Sequence, residues 1–282
     1  MITNELTKTL ERQKGIPAAY TFVTGHRMRA IDLLYRIFCT PFADNVVAPE
    51  PACDDYRQLA DVNHIAYLEA PLDSEFRLTA DALLKACNAK TRLVWLSLPS
   101  SVTGNNNMVR AEVEQLLGRF TGIVVADETF SDYARLRSLR FELPKYPRLI
   151  VLDAPGLLFA QPTVVERLAK LAYLYDYEGD LLSALPDPFD LERRVRLCVQ
   201  ERTRLMEAFR ELPLCEHVFA SESDFFLVRM RDADTIVAYL AQRGISISRL
   251  PQHNVLIIPI GTRSENNELV GALRQMGREP RC

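Results

Sequence analysis

The densest potential for chemistry lies at 122–130, GIVVADETF, where a short apolar run ends in two carboxylates, Asp127 and Glu128. Ile123, Val124 and Val125 suit a central strand of a parallel sheet covered on both faces. Ligands of open α/β sheets bind outside the carboxyl ends of the strands, so Asp127 is placed to meet a cation or an N–H donor. An acidic residue in this position also serves as a turn former or helix cap, and the string alone leaves both roles open. Amine chemistry has few candidates: among 34 basic residues the lysines are only Lys8, Lys14, Lys85, Lys90, Lys145 and Lys170. The cysteines Cys39, Cys53, Cys87, Cys198, Cys215 and Cys282 show no CxxC spacing, and the four histidines are dispersed, so the sequence predicts neither a metal site nor a disulfide framework. No GxSxG, P-loop or GxGxxG string occurs to supply a nucleophile or a phosphate cradle.

The elements that must position Asp127 follow from periodicity. Helical spacing predicts helices over 3–14, from about 28 to 38, and at 53–59, 79–87, 109–120 and 163–175. Strand signals fall at 45–49, 63–70, 91–98, 122–128 and 148–154, so strands and helices alternate. This predicts an α/β fold, a mainly parallel sheet sandwiched by helices. After the breaker LPDP at 185–188 comes a long arginine-rich helix over 189–211. Strand, strand, helix, strand, strand and helix then follow, a smaller α+β C-terminal domain. The expected organisation is a helical N-terminal arm at 1–15, a large domain at 16–185 and the small domain at 186–282.

Composition excludes some partners. A chain of 282 residues, 48% hydrophobic and 25% charged with a net charge of −3, offers no electrostatic footprint for nucleic acid or an anionic membrane. No apolar run approaches the roughly 20 residues of a membrane helix. The polar N-terminus lacks the apolar core of a secretion signal, and the expected location is cytoplasmic.

Several strings, taken in this order of elements, resemble the fold-type I pyridoxal-phosphate aminotransferases of class I and II, and among these the histidinol-phosphate aminotransferases. They are VTGHRMRAIDLLYRIFCTP at 23–41, LPSSVTGN at 98–105, VVADETF at 124–130, RLIVLDAPGLLF at 148–159, QRGISISRL at 242–250 and VLIIPIGTRSEN at 255–266. The resemblance implies the large and small domains, a homodimer, and a set of cofactor contacts. Asp127 matches the carboxylate that keeps the pyridine nitrogen protonated. Gly25 keeps its place in the phosphate loop, with His26 and Arg27 beside it at a helix start that can hold an anion.

Other positions depart from the family pattern. The imine-forming lysine falls at Leu157, and an aliphatic chain cannot form an imine. The asparagine and proline of the loop after the strand fall at Ser101 and Val102, followed by Thr103. The tyrosine sharing the ring hydroxyl is Phe130, and the ring-stacking aromatic is Cys53. The arginine that forks onto the substrate carboxylate falls at Ile257. Arg167 lies near the deleted phosphate-binding arginine. From these departures the sequence predicts a degenerate site without catalytic residues and without a bound cofactor, in an aminotransferase-like protein kept for small-molecule binding or interaction. The alternatives are an active pyridoxal 5'-phosphate enzyme acting on an amino acid or phosphorylated amine, with Lys145 or Lys170 supplying the amine, and an unrelated α/β binding protein. The residual pocket would be lined by Asp127, Ser101, Thr103 and Gly25 to Arg27 and would suit a zwitterionic or phosphorylated amine. A filled cleft, plugged by Leu157, Leu158 and Phe130, is the competing arrangement.

Overall fold

The computed structural model describes residues 4–154, 156–172, 187–250 and 254–277. The chain divides into two compact units, residues 1–102 with 106–188 and residues 103–105 with 189–282. The first contains α1 (Asn4–Lys14), β1 (Thr21–Val23), α2 (Arg27–Phe38), β2 (Asn45–Glu50), α3 (Asp54–Val62), β3 (Ala66–Pro71), α4 (Ala80–Ala86), β4 (Thr91–Ser97), α5 (Arg110–Arg119), β5 (Ile123–Asp127), β6 (Leu149–Asp153), β7 (Leu157–Phe159) and α6 (Pro162–Ala172). The expected helix end at 173–175 and the first half of LPDP lie outside the described residues.

The strands form one seven-stranded sheet in the order β1-β7-β6-β5-β4-β2-β3. From β6 to β3 the pairing is parallel, while β7 runs antiparallel to both β6 and β1. Because strand side chains alternate between faces, each parallel strand feeds two cores. Val94, Val124 and Val151 join Leu83, Leu116 and Leu117 of α4 and α5 in one buried cluster. Trp95, Val125 and Leu152 join Leu34, Tyr35 and Tyr56 of α2 and α3 in the other. Burial on both faces explains why the predicted strands read as near-continuous apolar runs. The fold class is the expected one, a mostly parallel sheet flanked by helices.

Sequence reasoning missed β1 and β7. Each has three residues, too few for a periodic signal. β7 arises because the chain reverses tightly after Asp153, with the Gly156 N–H donating to the Asp153 carbonyl at 2.9 Å. This return corrects the expected plug: Leu157 packs in the first cluster and Leu158 in the second, on opposite faces of the sheet. They cannot fill one cleft together.

The second unit takes α7 (Pro188–Arg210) from Phe189 onward, then β8 (Cys215–Val218), β9 (Phe225–Met230), α8 (Ala233–Ala241), β10 (Ser248–Leu250), β11 (Val255–Pro259) and α9 (Arg263–Met276). Its sheet runs β10-β11-β9-β8, antiparallel throughout. A capping box starts α9: Thr262 accepts from the Glu265 N–H, and the Glu265 carboxylate accepts from the Thr262 N–H at 2.7 Å.

Candidate functional site

Asp127 is the last residue of β5, 2% exposed, beside Ser97 of β4 and Leu152 of β6. Side-by-side residues of parallel strands share a face, so its carboxylate points to the α2 and α3 side. There it is enclosed by donors of the chain itself. Its Oδ2 accepts from Arg27 Nε at 3.0 Å, Arg27 Nη2 at 2.7 Å and the Tyr56 hydroxyl at 2.6 Å. Its Oδ1 accepts from the Thr129 N–H at 3.1 Å and the Thr129 hydroxyl. A carboxylate offers about four lone-pair sites, and five donors occupy them.

Arg27 is the first residue of α2, and its guanidinium is shared further. Nη1 donates to the Asp55 carboxylate and, at 3.5 Å, to the Cys53 Sγ. The group lies over the Tyr56 ring, 5.2 Å from its centroid, and Tyr56 in turn stacks on Trp95 at 4.4 Å and 17°. Such a stack adds about 0.5–1.5 kcal/mol beyond area burial and holds the tyrosine hydroxyl under Asp127. Burial, the largest single influence, acts to lower the Arg27 pKa, but the Asp127 charge and hydrogen bond together with Tyr56 and Cys53 hold the group above its ordinary value. Burial and the adjacent Asp127 charge push the Tyr56 hydroxyl well up, so it stays a donor. Burial also raises the Cys53 thiol, against the opposing pull of Arg27.

The helix start beside Arg27 is capped by the preceding residue. His26 is the N-cap of α2, and its Nδ1 accepts from the Met28 N–H at 3.2 Å. Gly25 has φ of +72°, the left-handed conformation glycine adopts without strain. The Gly156 carbonyl accepts from the Thr24 N–H at 2.9 Å and the Thr24 hydroxyl at 2.8 Å, tying the β6–β7 turn to this loop.

The structure therefore brings together Asp127, Arg27 and Cys53, with Gly25 and His26 adjoining Arg27 in the chain. Tyr56, Asp55 and Thr129 complete the cluster, and the sequence reading had named none of them. Thr129 was findable, since an Asp two residues before a threonine forms a local side-chain turn. Tyr56 follows Cys53 by three residues and so faces the same way on α3. Ser101 follows β4, its N–H donating to Ser97 Oγ at 3.3 Å. Thr103 belongs to the second unit, where its hydroxyl donates to Asn105 Oδ1 at 2.6 Å. Phe130 is half-buried at the start of a 3-10 turn, Ser131–Tyr133. Ile257 is a half-buried residue of β11 opposite Leu227.

No lysine contacts Asp127. Lys8, Lys85, Lys90, Lys145 and Lys170 are exposed. Lys145 lies over the Tyr146 ring at 4.8 Å, and Lys170 is on α6. Lys14 reaches Asp153 at 2.7 Å, next along β6 from Leu152 and so on the opposite face from Asp127. Exposed Arg167 lies 5.4 Å from the Phe38 ring centroid. Glu128 also points to that opposite face, 3% exposed, accepting from the Leu139 N–H at 2.7 Å and from the Ser138 hydroxyl. It borders a cavity of about 30 Å³ with Ser131 and Ser138, room for a water molecule.

A mostly parallel sheet covered by helices, with a carboxylate at the end of a central strand facing a helix N-terminus, defines an α/β protein of the open-sheet class. Residues 6–154 match the family model for aminotransferase class I and II, and the chain belongs to this family of fold-type I pyridoxal-phosphate enzymes. Within it, the chain is similar to the histidinol-phosphate aminotransferase of Bacteroides thetaiotaomicron, 33% identical over 96% of this chain and 84% of that protein. The fold is also that of the histidinol-phosphate aminotransferase of Clostridium acetobutylicum, with a TM-score of 0.83 at 15% identity, covering 96% of this chain and 87% of that one. The histidinol-phosphate aminotransferase of Sinorhizobium meliloti in complex with pyridoxal-5'-phosphate gives 0.80 at 18% identity, covering 97% and 81%.

These relatives correct the expectation of a chain without a cofactor. The family is a pyridoxal-phosphate family, and departures at single positions do not remove a chain from it. The Asp127 lone pairs are filled by Arg27, Tyr56 and Thr129, and residue 157 is a fully buried leucine in a short strand. No step through the cofactor follows from this geometry.

Proposed function

We propose that this chain is a histidinol-phosphate-aminotransferase-like protein in which amino transfer has been lost and the Asp127 carboxylate is engaged by the chain's own residues. The observation that carries the reading is the saturated Asp127 carboxylate, five of whose hydrogen bonds come from the chain itself. Amino transfer through an imine also needs a lysine amine at the site. Five of the six lysines are exposed, and the sixth is held by Asp153 on the other face.

The test is a transamination assay with histidinol phosphate as amino donor, a 2-oxo acid as acceptor and pyridoxal phosphate supplied in excess. The expected result is no turnover above a heat-inactivated sample. Turnover approaching the ~1 per second at the low end of common enzymes, and abolished by Asp127→Asn, overturns the reading.

A further inference from the structure

We infer that the Asp127 cluster is a site for a planar cation of the guanidinium or amidinium class, and that Arg27 fills it as an internal ligand. This rests on the reading of the Asp127 carboxylate as engaged by the chain's own residues. Three features of guanidinium recognition converge there. Carboxylates stand at two edges, since Arg27 Nε and Nη2 meet Asp127 at 3.0 and 2.7 Å and Nη1 meets Asp55. An aromatic face lies against the cation, the Tyr56 ring centroid being 5.2 Å away. The acceptors are buried or partly so, Asp127 being 2% exposed and Asp55 31% at its side chain.

The position of Arg27 in its own helix makes the same point independently. A cation in the first turn opposes the helix macrodipole, and α2 has no acidic residue there to offset it. Local helix energetics therefore disfavour arginine at this position. The side chain instead leaves the helix start and crosses to a carboxylate 100 residues away in sequence. Asp54 and Asp55, by contrast, occupy the first turn of α3, where negative charge is favoured, so α3 presents Asp55 at no local penalty. The anionic half of the site is built by elements that favour it, and the cation is held by that half alone.

Arg27→Ala then leaves a cavity shaped for the deleted group, with Asp127, Asp55 and the Tyr56 ring in place. N-ethylguanidinium matches the deleted atoms, and N-ethylurea is its uncharged counterpart. The expected result is that Arg27→Ala melts lower than the parent. N-ethylguanidinium at about ten times its Kd should raise the melting temperature of the variant by roughly 3 °C or more. N-ethylurea should not. Neither compound should raise that of the parent chain, whose site is filled, or of Arg27→Ala/Asp127→Asn, which lacks the charge.

Equal shifts with the two compounds, no shift in Arg27→Ala, or a shift that survives in the double variant would overturn the inference. If Arg27→Ala does not fold in buffer, the same pair of compounds is compared by refolding. A cooperative melt recovered with N-ethylguanidinium alone supports the inference, and equal outcomes with both overturn it. The outcome is separable from the transamination test. Turnover by the parent chain together with selective rescue sinks the proposed function only, whereas an inert parent chain without rescue sinks this inference only.

Discussion

Replacing Asp127 by Asn keeps the side-chain shape and the oxygen facing Thr129, but it removes the charge and places an amide where Oδ2 accepts Arg27 and Tyr56. Hydrogen bonds to charged groups contribute about 1.5–3 kcal/mol each, and two from the guanidinium are lost. Part is recovered, because Arg27 keeps Asp55 and the Tyr56 ring and is 18% exposed at its side chain. The net loss works out at about 3 kcal/mol, the lower end for breaking a buried ion pair by removing one partner. Tyr56→Phe removes one donor from a carboxylate that keeps four others, so its loss is only about 1–2 kcal/mol. The two changes share a partner, and the double variant should fall short of additivity by roughly 1 kcal/mol. Urea unfolding followed by tryptophan fluorescence measures this directly. Trp95 is the sole tryptophan, fully buried and stacked on Tyr56, so its emission reports on this cluster. An Asp127→Asn stability within about 0.5 kcal/mol of the parent, the range of inert surface changes, would refute the argument.

Three further substitutions give measurable outcomes. A Cβ on Gly156, at φ of +122°, would stand 2.6 Å from the His26 nitrogen and 2.7 Å from Thr24 Oγ1. Gly156→Ala should therefore separate the β6–β7 turn from the α2 loop and lower stability by about 3 kcal/mol, from strain and two weakened hydrogen bonds. Gly118→Ala, inside α5 with nothing within 4 Å, should instead raise it by about 0.5–1 kcal/mol; denaturation curves that rank the pair the other way would contradict both statements. Burial raises the Glu128 carboxyl above the ordinary 4.5, against the lowering effect of its Ser138 and Leu139 hydrogen bonds. A raised folded value means the fold favours the protonated form, so this contribution is fully present below 4.5 and is lost as pH rises through the folded value. Glu128→Gln should therefore gain stability relative to the parent as pH rises from acid to neutral; parallel stability-versus-pH curves would rule this out.

Much of the framework was legible in the sequence because it depends on short-range signals. The β-branched run at 123–125 and the apolar runs at 45–49 and 91–98 marked strands whose two faces are both buried, and β5, β2 and β4 stand there. That placed Asp127 at the carboxyl edge before any coordinates, and the strings around it named the family. That residue 157 is a leucine was equally a matter of reading residues. The wiring of the site was not legible. Arg27 looked like part of an anion-binding helix start, because a helix terminus is a local feature whereas the direction its first side chain takes is set by distant partners. Only the sheet order, with β5 at the centre and α2 and α3 on one face, brings residues 27, 55, 56 and 127 within hydrogen-bond reach. The separation of Leu157 from Leu158 has the same origin: alternation along a strand is a local rule, but whether three residues form a strand at all was decided by the partners β1 and β6 that flank them.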